Sequence, residues 1–411
     1  MAVQQTLVLL LISYYINNGN YVYAAFLDAT KAFDRVNYCK LFKLLLKRDV
    51  PPCVIRLIMS MYIDQSMFIK WNGSSSKFFN VTNGVKQGGI LSPILFCIYI
   101  DELLCELKRS GFGCYVGSTY CGSLGYADDI TLLSPSVFGL QKLLNICENY
   151  ARKYDIQFNE CKSKVMIFSK TKQEVEPCLF LNNKKLEYVD NFVHLGHIIK
   201  PNLDDGDDIR CQRGKFVGKV NAVISDFKGI GGMLKYNVVK TYCYSFYGSQ
   251  LWNLQNKAIQ NLCISWRRAI KKAIGLPERT HTKILSMLCN NVPLISVLFK
   301  RFIKFFKSCT SSTNSIVRFI SHNCLYDGNS GMSCNLKHIR YIYDIPIEQL
   351  NCKGYANLSK RIDVMFHNSF NNFERVNIDV IKECINMRDG LCNSILTGYE
   401  CNKLAEYLCT I

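Results

Sequence analysis

SLGYADDITLLS, Ser123 to Ser134, reads as two short apolar strands joined by a tight turn, and the turn carries two adjacent carboxylates, Asp128 and Asp129. Asp is readily accepted in turns because its side chain bonds the local backbone, so taken alone the pair describes a solvated hairpin tip. A second acidic segment upstream changes that reading. In VYAAFLDATKAFD (Val22 to Asp34) an apolar strand ends at Asp28, and Ala32 opens a helical pattern. Carboxylates brought together at strand ends repel one another, and a divalent cation removes the cost. Mg²⁺ takes hard oxygen ligands while keeping room for phosphate oxygens, and a pair of such ions can clamp the attacking and leaving oxygens of a phosphoryl displacement. The candidate metal ligands are Asp28, Asp128 and Asp129, with the Ala29 carbonyl as a fourth.

Between these segments lies GVKQGGILSPILFCIYIDELL (Gly84 to Leu104). Ser92 is placed to cap a helix whose first residue is Pro93; the helix runs to Ser110 and Gly111 ends it. Ahead of it, Gln87-Gly88-Gly89 is either an ordinary glycine turn or a backbone able to approach a base pair closely, with Gln87 offering both a donor and an acceptor.

In their order, FLDATKAFD, GVKQGGILSP and GYADD resemble motifs A, B and C of reverse transcriptases, specifically those of LINE-type (non-LTR) retrotransposons. NECKSKVMIF (Asn159 to Phe168) is similar to motif D and FVHLGHII (Phe192 to Ile199) to the primer-grip motif E; YGSQLW, WRRAIKKAIGLP and RDGLC (Arg388 to Cys392) continue the resemblance more weakly. The resemblance implies an α+β chain: a right-hand polymerase palm, a ferredoxin-like antiparallel sheet with helices, followed by an α-helical thumb and a mostly helical C-terminal region. The expected division is 1–170 palm with a residual fingers helix, 171–200 primer-grip hairpin, 201–308 thumb and 309–411 C-terminal region.

The implied activity is RNA-directed DNA polymerisation by two-metal nucleotidyl transfer from a dNTP to a primer 3′-OH. Its cofactor would be two Mg²⁺ ions, with Mn²⁺ as the alternative, and its partners an RNA template, a DNA primer and dNTP. By the same resemblance Phe33, Gln87, Gly88 and Tyr126 would hold the nucleotide, with the Phe33 ring excluding a ribose 2′-hydroxyl. Lys162 would act as general acid on the leaving pyrophosphate, and His194, Leu195 and Gly196 would form the primer grip. The stretch before motif A is short, so the endonuclease and most of the fingers are expected to be absent. That leaves a second reading, a catalytically silent nucleic-acid-binding remnant.

Composition points the same way. The 411 residues are 49% hydrophobic, enough for real cores, and 50 Lys+Arg against 32 Asp+Glu give a formal charge of +18. Such a balance suits a polyanion or an acidic membrane surface. On a helical wheel, Asn256 to Gly275 gathers Ile259, Leu262, Trp266, Ile270 and Ala273 on one stripe, with Arg267, Arg268, Lys271 and Lys272 roughly opposite, where they could track phosphates. SVLFKRFIKFFKS (Ser296 to Ser308) reads as an amphipathic core helix. LVLLLISYYI (Leu7 to Ile16) is too short to span a bilayer, lacks a basic region ahead of it, and reads as the helix preceding motif A; no membrane partner is expected. The 21 cysteines follow no regular framework, which suits reduced thiols of an intracellular protein, nuclear and/or cytoplasmic. Cys324, Cys334, His338 and Cys352 fit no compact zinc set, and Asp204, Asp205, Asp207 and Asp208 read as a solvated loop.

Overall fold

The computed structural model describes residues 2–171, 176–280, 285, 293–326 and 330–343, and the chain divides into two compact units. RDGLC, Cys352 and most of the expected C-terminal region lie outside the described residues.

The first unit holds residues 3–194 and 200–202. Its elements are α1 (Ala2–Asn17), β1 (Val22–Leu27), α2 (Tyr38–Lys47), α3 (Pro52–Tyr62), the short strands β2 (Gln65–Met67), β3 (Lys70–Trp71), β4 (Ser74–Ser75) and β5 (Phe79–Val81), α4 (Ser92–Arg109), β6 (Tyr115–Val116) and β7 (Thr119–Tyr120). After them come β8 (Ser123–Tyr126), β9 (Asp129–Ser134), α5 (Val137–Tyr154), β10 (Lys164–Phe168), β11 (Phe180–Leu181), β12 (Lys184–Lys185), β13 (Glu187–Tyr188) and β14 (Phe192–His194).

The main sheet runs β13-β10-β1-β9-β8. β1, α4, β8, β9, α5 and β10 in that order, with strand neighbours β10-β1-β9-β8 and every pairing among them antiparallel, form the split βαβ arrangement of ferredoxin-like folds. Only β13 departs, adding in parallel at the edge.

β1 is the centre of the sheet and all six of its residues are buried, because apolar groups cover both faces. Tyr23, Ala25 and Leu27 join the core with Leu95, Tyr99 and Leu103 of α4 and Leu140, Leu143 and Leu144 of α5. On the other face Phe26 stacks on Phe192 at 4.4 Å. Burying an aromatic of this size contributes about 1.5–3 kcal/mol.

Two local expectations are corrected. Residues 30–35 form turns, with Lys31 at φ 47°, and the next helix starts at Tyr38, where the Asn37 side chain accepts from the Lys40 amide. The helix pattern from Ala32 fails because the backbone at Asp34 is held against Gly84, whose φ of 93° brings it in close. Nor does Ser92 cap α4. It is the first helical residue, and its hydroxyl donates to the Lys86 carbonyl, closing the glycine turn instead.

The second unit holds residues 195–199 and the described residues from 203 onward. It contains β15 (His197–Ile199), α6 (Gly206–Asp226), α7 (Gly232–Tyr242), α8 (Lys257–Ile274), α9 (Leu294–Thr310), α10 (Ser315–Tyr326) and α11 (Gly331–Tyr343). α8 is the hub, touching α6, α7 and α9. Its start is capped by Asn256, whose side chain accepts from the Ala258 amide, and its end by Gly275 in the left-handed region at φ 78°. α9 is the expected core helix, burying Phe299, Phe302, Phe305 and Phe306.

α7 meets the end of α8 at Gly232, where an added Cβ would lie 2.5 Å from the Ile274 carbonyl oxygen. Gly232→Ala is expected to lower stability by about 1–3 kcal/mol, the ordinary cost of overpacking. An unchanged thermal midpoint would contradict this close approach. Among the described residues no helix is long and apolar enough to cross a membrane.

Candidate active site

β1 and β9 pair with Leu27 opposite Ile130, so the next residues outward, Asp28 and Asp129, leave the same end of the sheet on adjacent strands. β8 and β9 close with Tyr126 opposite Asp129, leaving Ala127 and Asp128 as a two-residue loop with Ala127 at φ 53°. Short loops of this kind need a positive φ to match strand twist. Asp28, Asp128 and Asp129 are all half-buried.

Burial, with the charges of Asp128 and Asp28 beside it, holds the Asp129 carboxyl above the usual carboxylate range. Asp128 and Asp28 therefore both bear on Asp129. Among the described residues no three His, Cys, Asp or Glu side chains stand close enough to hold an ion as they are. Hard, mutually repelling oxygens on a rigid strand end are nonetheless the donor chemistry that a divalent cation satisfies.

The backbone around Asp28 is fixed by the segment before β10. The Asp28 amide donates to Ser163 Oγ (3.2 Å), the Asn159 amide to the Asp28 carbonyl (2.8 Å) and the Thr30 amide to the Gln157 carbonyl (2.7 Å). Ala29 bridges Phe158 between those bonds, in the pattern that leaves its own carbonyl out of the pairing. Asn159 Oδ1 accepts from the amides of Cys161 and Lys162, and this turn sends Lys162 Nζ to 3.8 Å from Asp28 Oδ2. Lys162 stays 69% exposed, so its ammonium remains free to swing toward a ligand.

Phe33 packs one face on Phe96 at 4.8 Å and is half-buried, so the core and nucleotide readings of this residue are compatible. Gln87 Nε2 donates to Asp34 Oδ1 at 3.2 Å. Gly88 has φ 81° with open space where a Cβ would stand. Tyr126 is half-buried beside the loop.

The residues expected to form the primer grip are divided between the two units. In the first, His194 is buried, accepts from Gln5 Nε2 and lies 5.4 Å from the Phe26 ring. In the second, Leu195 (φ 49°) and Gly196 (φ 80°) form a turn held from one side: Tyr247 Oη donates to the Leu195 carbonyl at 3.0 Å, and its ring would lie 3.1 Å from a Cβ at Gly196. The Tyr247 segment is itself pinned by Arg301, which donates to the carbonyls of Tyr244 and Ser245.

Just after the turn, buried His197 meets Asp208 (Nδ1 to Oδ2, 3.0 Å) and Asp205 (Nε2 to Oδ1, 3.6 Å). Asp208 also accepts from Trp252 Nε1 (2.7 Å) and the Ile198 amide. Asp208 is thus a buried anchor and Asp205 a half-buried one, rather than members of a solvated loop. His197 and Trp252, each inside a motif already quoted, were the available signal for them.

The basic arc of α8 is also narrower than the wheel suggests. Arg268 and Lys272 are exposed and Arg267 is half-buried, but Lys271 is buried, with Nζ donating to the Glu278 carbonyl. The chain after Gly275 folds back over the last turn of the hub helix and covers that lysine.

Residues 4–199 match the family described as reverse transcriptase (RNA-dependent DNA polymerase). This segment is a reverse transcriptase domain, and the curated relatives it resembles come from retrotransposable elements. The retrovirus-related Pol polyprotein from the type-2 retrotransposable element R2DM of Drosophila melanogaster is 35% identical over 30% of the chain and 12% of its own length. The R2 polyprotein of Popillia japonica is 30% identical over 42% of the chain and 25% of its own. The RNA-directed DNA polymerase from mobile element jockey of Drosophila melanogaster is 23% identical over 65% of the chain and 30% of its own. The chain thus spans less than a third of each of these curated relatives. Apo telomerase from Candida tropicalis aligns over 88% of the chain and 56% of its own at 14% identity and a TM-score of 0.39.

Proposed function

We propose that this reverse transcriptase domain extends a DNA primer on an RNA template, adding nucleotides from dNTP. The observation that carries the reading is the register placing Asp28 beside Asp129 at the sheet end, next to the loop that presents Asp128. Asp28, Asp128 and Asp129 would hold two divalent cations, Mg²⁺ or in its place Mn²⁺. When bound, such ions neutralise the phosphates and activate the attacking hydroxyl.

The chain's own contribution is positioning and charge. The bonds to Ser163 and from Asn159 fix the backbone that presents the Asp28 carboxylate, and the half-exposed face of Phe33 would meet the sugar. Lys162, on its short turn beside Asp28, would give a proton to the departing pyrophosphate. The clamped turn at Leu195 and Gly196 would bear on the primer. Free cysteines throughout the described residues suit a reducing compartment, and we place the chain in the nucleus or cytoplasm.

The test is incorporation of labelled dNTP on an RNA template annealed to a DNA primer, with Mg²⁺, with Mn²⁺ and with chelator. Metal-dependent, template-directed extension is expected. Tight binding of primer-template with no extension under either metal would favour a silent nucleic-acid-binding domain.

A further inference from the structure

β2 to β5 make one ribbon, Gln65 to Val81, which leaves the core almost entirely. Gln65, Ser66 and Met67 pair with Val81, Asn80 and Phe79, and Lys70 and Trp71 with Ser75 and Ser74. Between these blocks two residues on the outgoing strand face three on the return, a bulge that bends the ribbon. Asn72 and Gly73, both at positive φ, turn its tip.

The side chains it carries are not those of a solvated loop. Trp71 is 82% exposed, Phe78 70% and Ile69 63%, with Met67, Phe68 and Phe79 also exposed. Alternation puts Met67, Ile69, Trp71 and Phe79 on one face, while Phe68 and Phe78 meet edge to face at 5.0 Å on the other. A two-stranded ribbon is marginal by itself, and so much clustered apolar surface marks a partner.

Charge identifies the partner's chemistry. From Gln65 to Ile100 there is no Asp or Glu, and Lys70, Lys77 and Lys86 are the charged residues. Lysines set among exposed aromatic rings, with acids excluded, match a chain of phosphates carrying flat bases. We propose that the Gln65–Val81 ribbon is a stacking arm for single-stranded nucleic acid, with bases on Trp71 on one face and on Phe78 on the other, and phosphates near Lys70 and Lys77. The inference rests on the polymerase reading only for the relevance of that ligand.

Trp71 makes the arm directly observable, since Trp252 and Trp266 are 0% and 3% exposed. Titrating the full chain with oligo(dT) or oligo(U) in metal-free buffer should quench its fluorescence saturably, and Trp71→Ala should remove the quench. By anisotropy of a labelled oligonucleotide, Trp71→Ala/Phe78→Ala should weaken binding roughly tenfold or more. Lys70→Gln/Lys77→Gln should flatten the salt dependence by about one unit of slope. These positions are solvent-exposed, so folding should be unaffected.

Unchanged oligonucleotide affinity in the aromatic variant would overturn the proposal. So would ribbon variants that alter sedimentation or vesicle binding while leaving oligonucleotide affinity intact, since the arm would then be a protein or lipid contact. A chain that is quenched by oligonucleotide but never polymerises would sink the polymerase reading and leave the arm standing.

Discussion

Asp128→Asn is expected to cut metal-dependent nucleotide incorporation by roughly a thousandfold or more, with oligonucleotide affinity close to that of the parent. The amide keeps the shape of the loop and removes the anionic oxygen, so binding and chemistry should separate. Asp129→Asn should be comparably damaging and carry a second signature. Because Asp129 is half-buried beside two other acids, its carboxyl titrates above the usual range in the fold. A group raised in this way favours the folded state below its unfolded pKa, and the benefit is lost as pH rises through the folded value. At neutral pH without metal the charged Asp129 therefore works against the fold. The Asn variant should melt slightly higher than the parent in chelator and lose the rise in midpoint that the parent shows on adding Mg²⁺. A variant that retains incorporation would remove Asp128 or Asp129 from the metal set.

The largest stability effect is expected at Asp208. It is buried, bonded to Trp252, and paired with a histidine that is itself buried. Asp208→Ala should cost about 3–5 kcal/mol, the usual consequence of leaving one member of a buried pair uncompensated, and should lower the thermal midpoint accordingly. His197 supplies the independent check. Burial pulls its pKa down, but the carboxylates of Asp205 and Asp208 beside it outweigh that and lift it to about 9. Raised above its ordinary 6.5, it contributes stability that is whole below pH 6.5 and is lost as pH rises through about 9. His197→Gln should flatten the decline in melting temperature across that window. An equally steep decline in the variant would assign it to other groups.

Much of the site was legible because its chemistry is local. The Asp128-Asp129 turn lies between two short apolar runs, Asp28 ends an apolar strand, and Asn256 and Gly275 bracket α8 with residues that suit caps. What escaped depends on distant partners. Asp205 and Asp208 sit in an acidic, glycine-containing stretch that locally favours water, and the distant His197, Trp252 and Asn253 amide draw them in, Asp208 fully and Asp205 in part. Lys271 lies within one helical step of the apolar stripe, so whether it is covered is settled by the chain beyond Gly275. The helix expected from Ala32 had good periodicity but lost to the close approach of Gly84. The Gln65–Val81 ribbon went unread because apolar residues in strand patterns ordinarily signal burial, and here they signal the opposite.

The position of β1 also bears on how the chain is made. It is the most apolar strand of the sheet and lies at its centre, yet its neighbours are Asp129–Ser134 on one side and Lys164–Phe168 on the other. A ribosome adding about 5–20 residues per second therefore exposes Val22–Leu27 for several seconds before the first neighbour exists. Through that interval the strand has both hydrogen-bonding edges open, and nothing downstream has yet been made to close them. During synthesis this six-residue stretch is the point at which nascent chains can pair with one another, so solubility on expression should respond more to chaperone supply and translation speed than to changes on the finished surface.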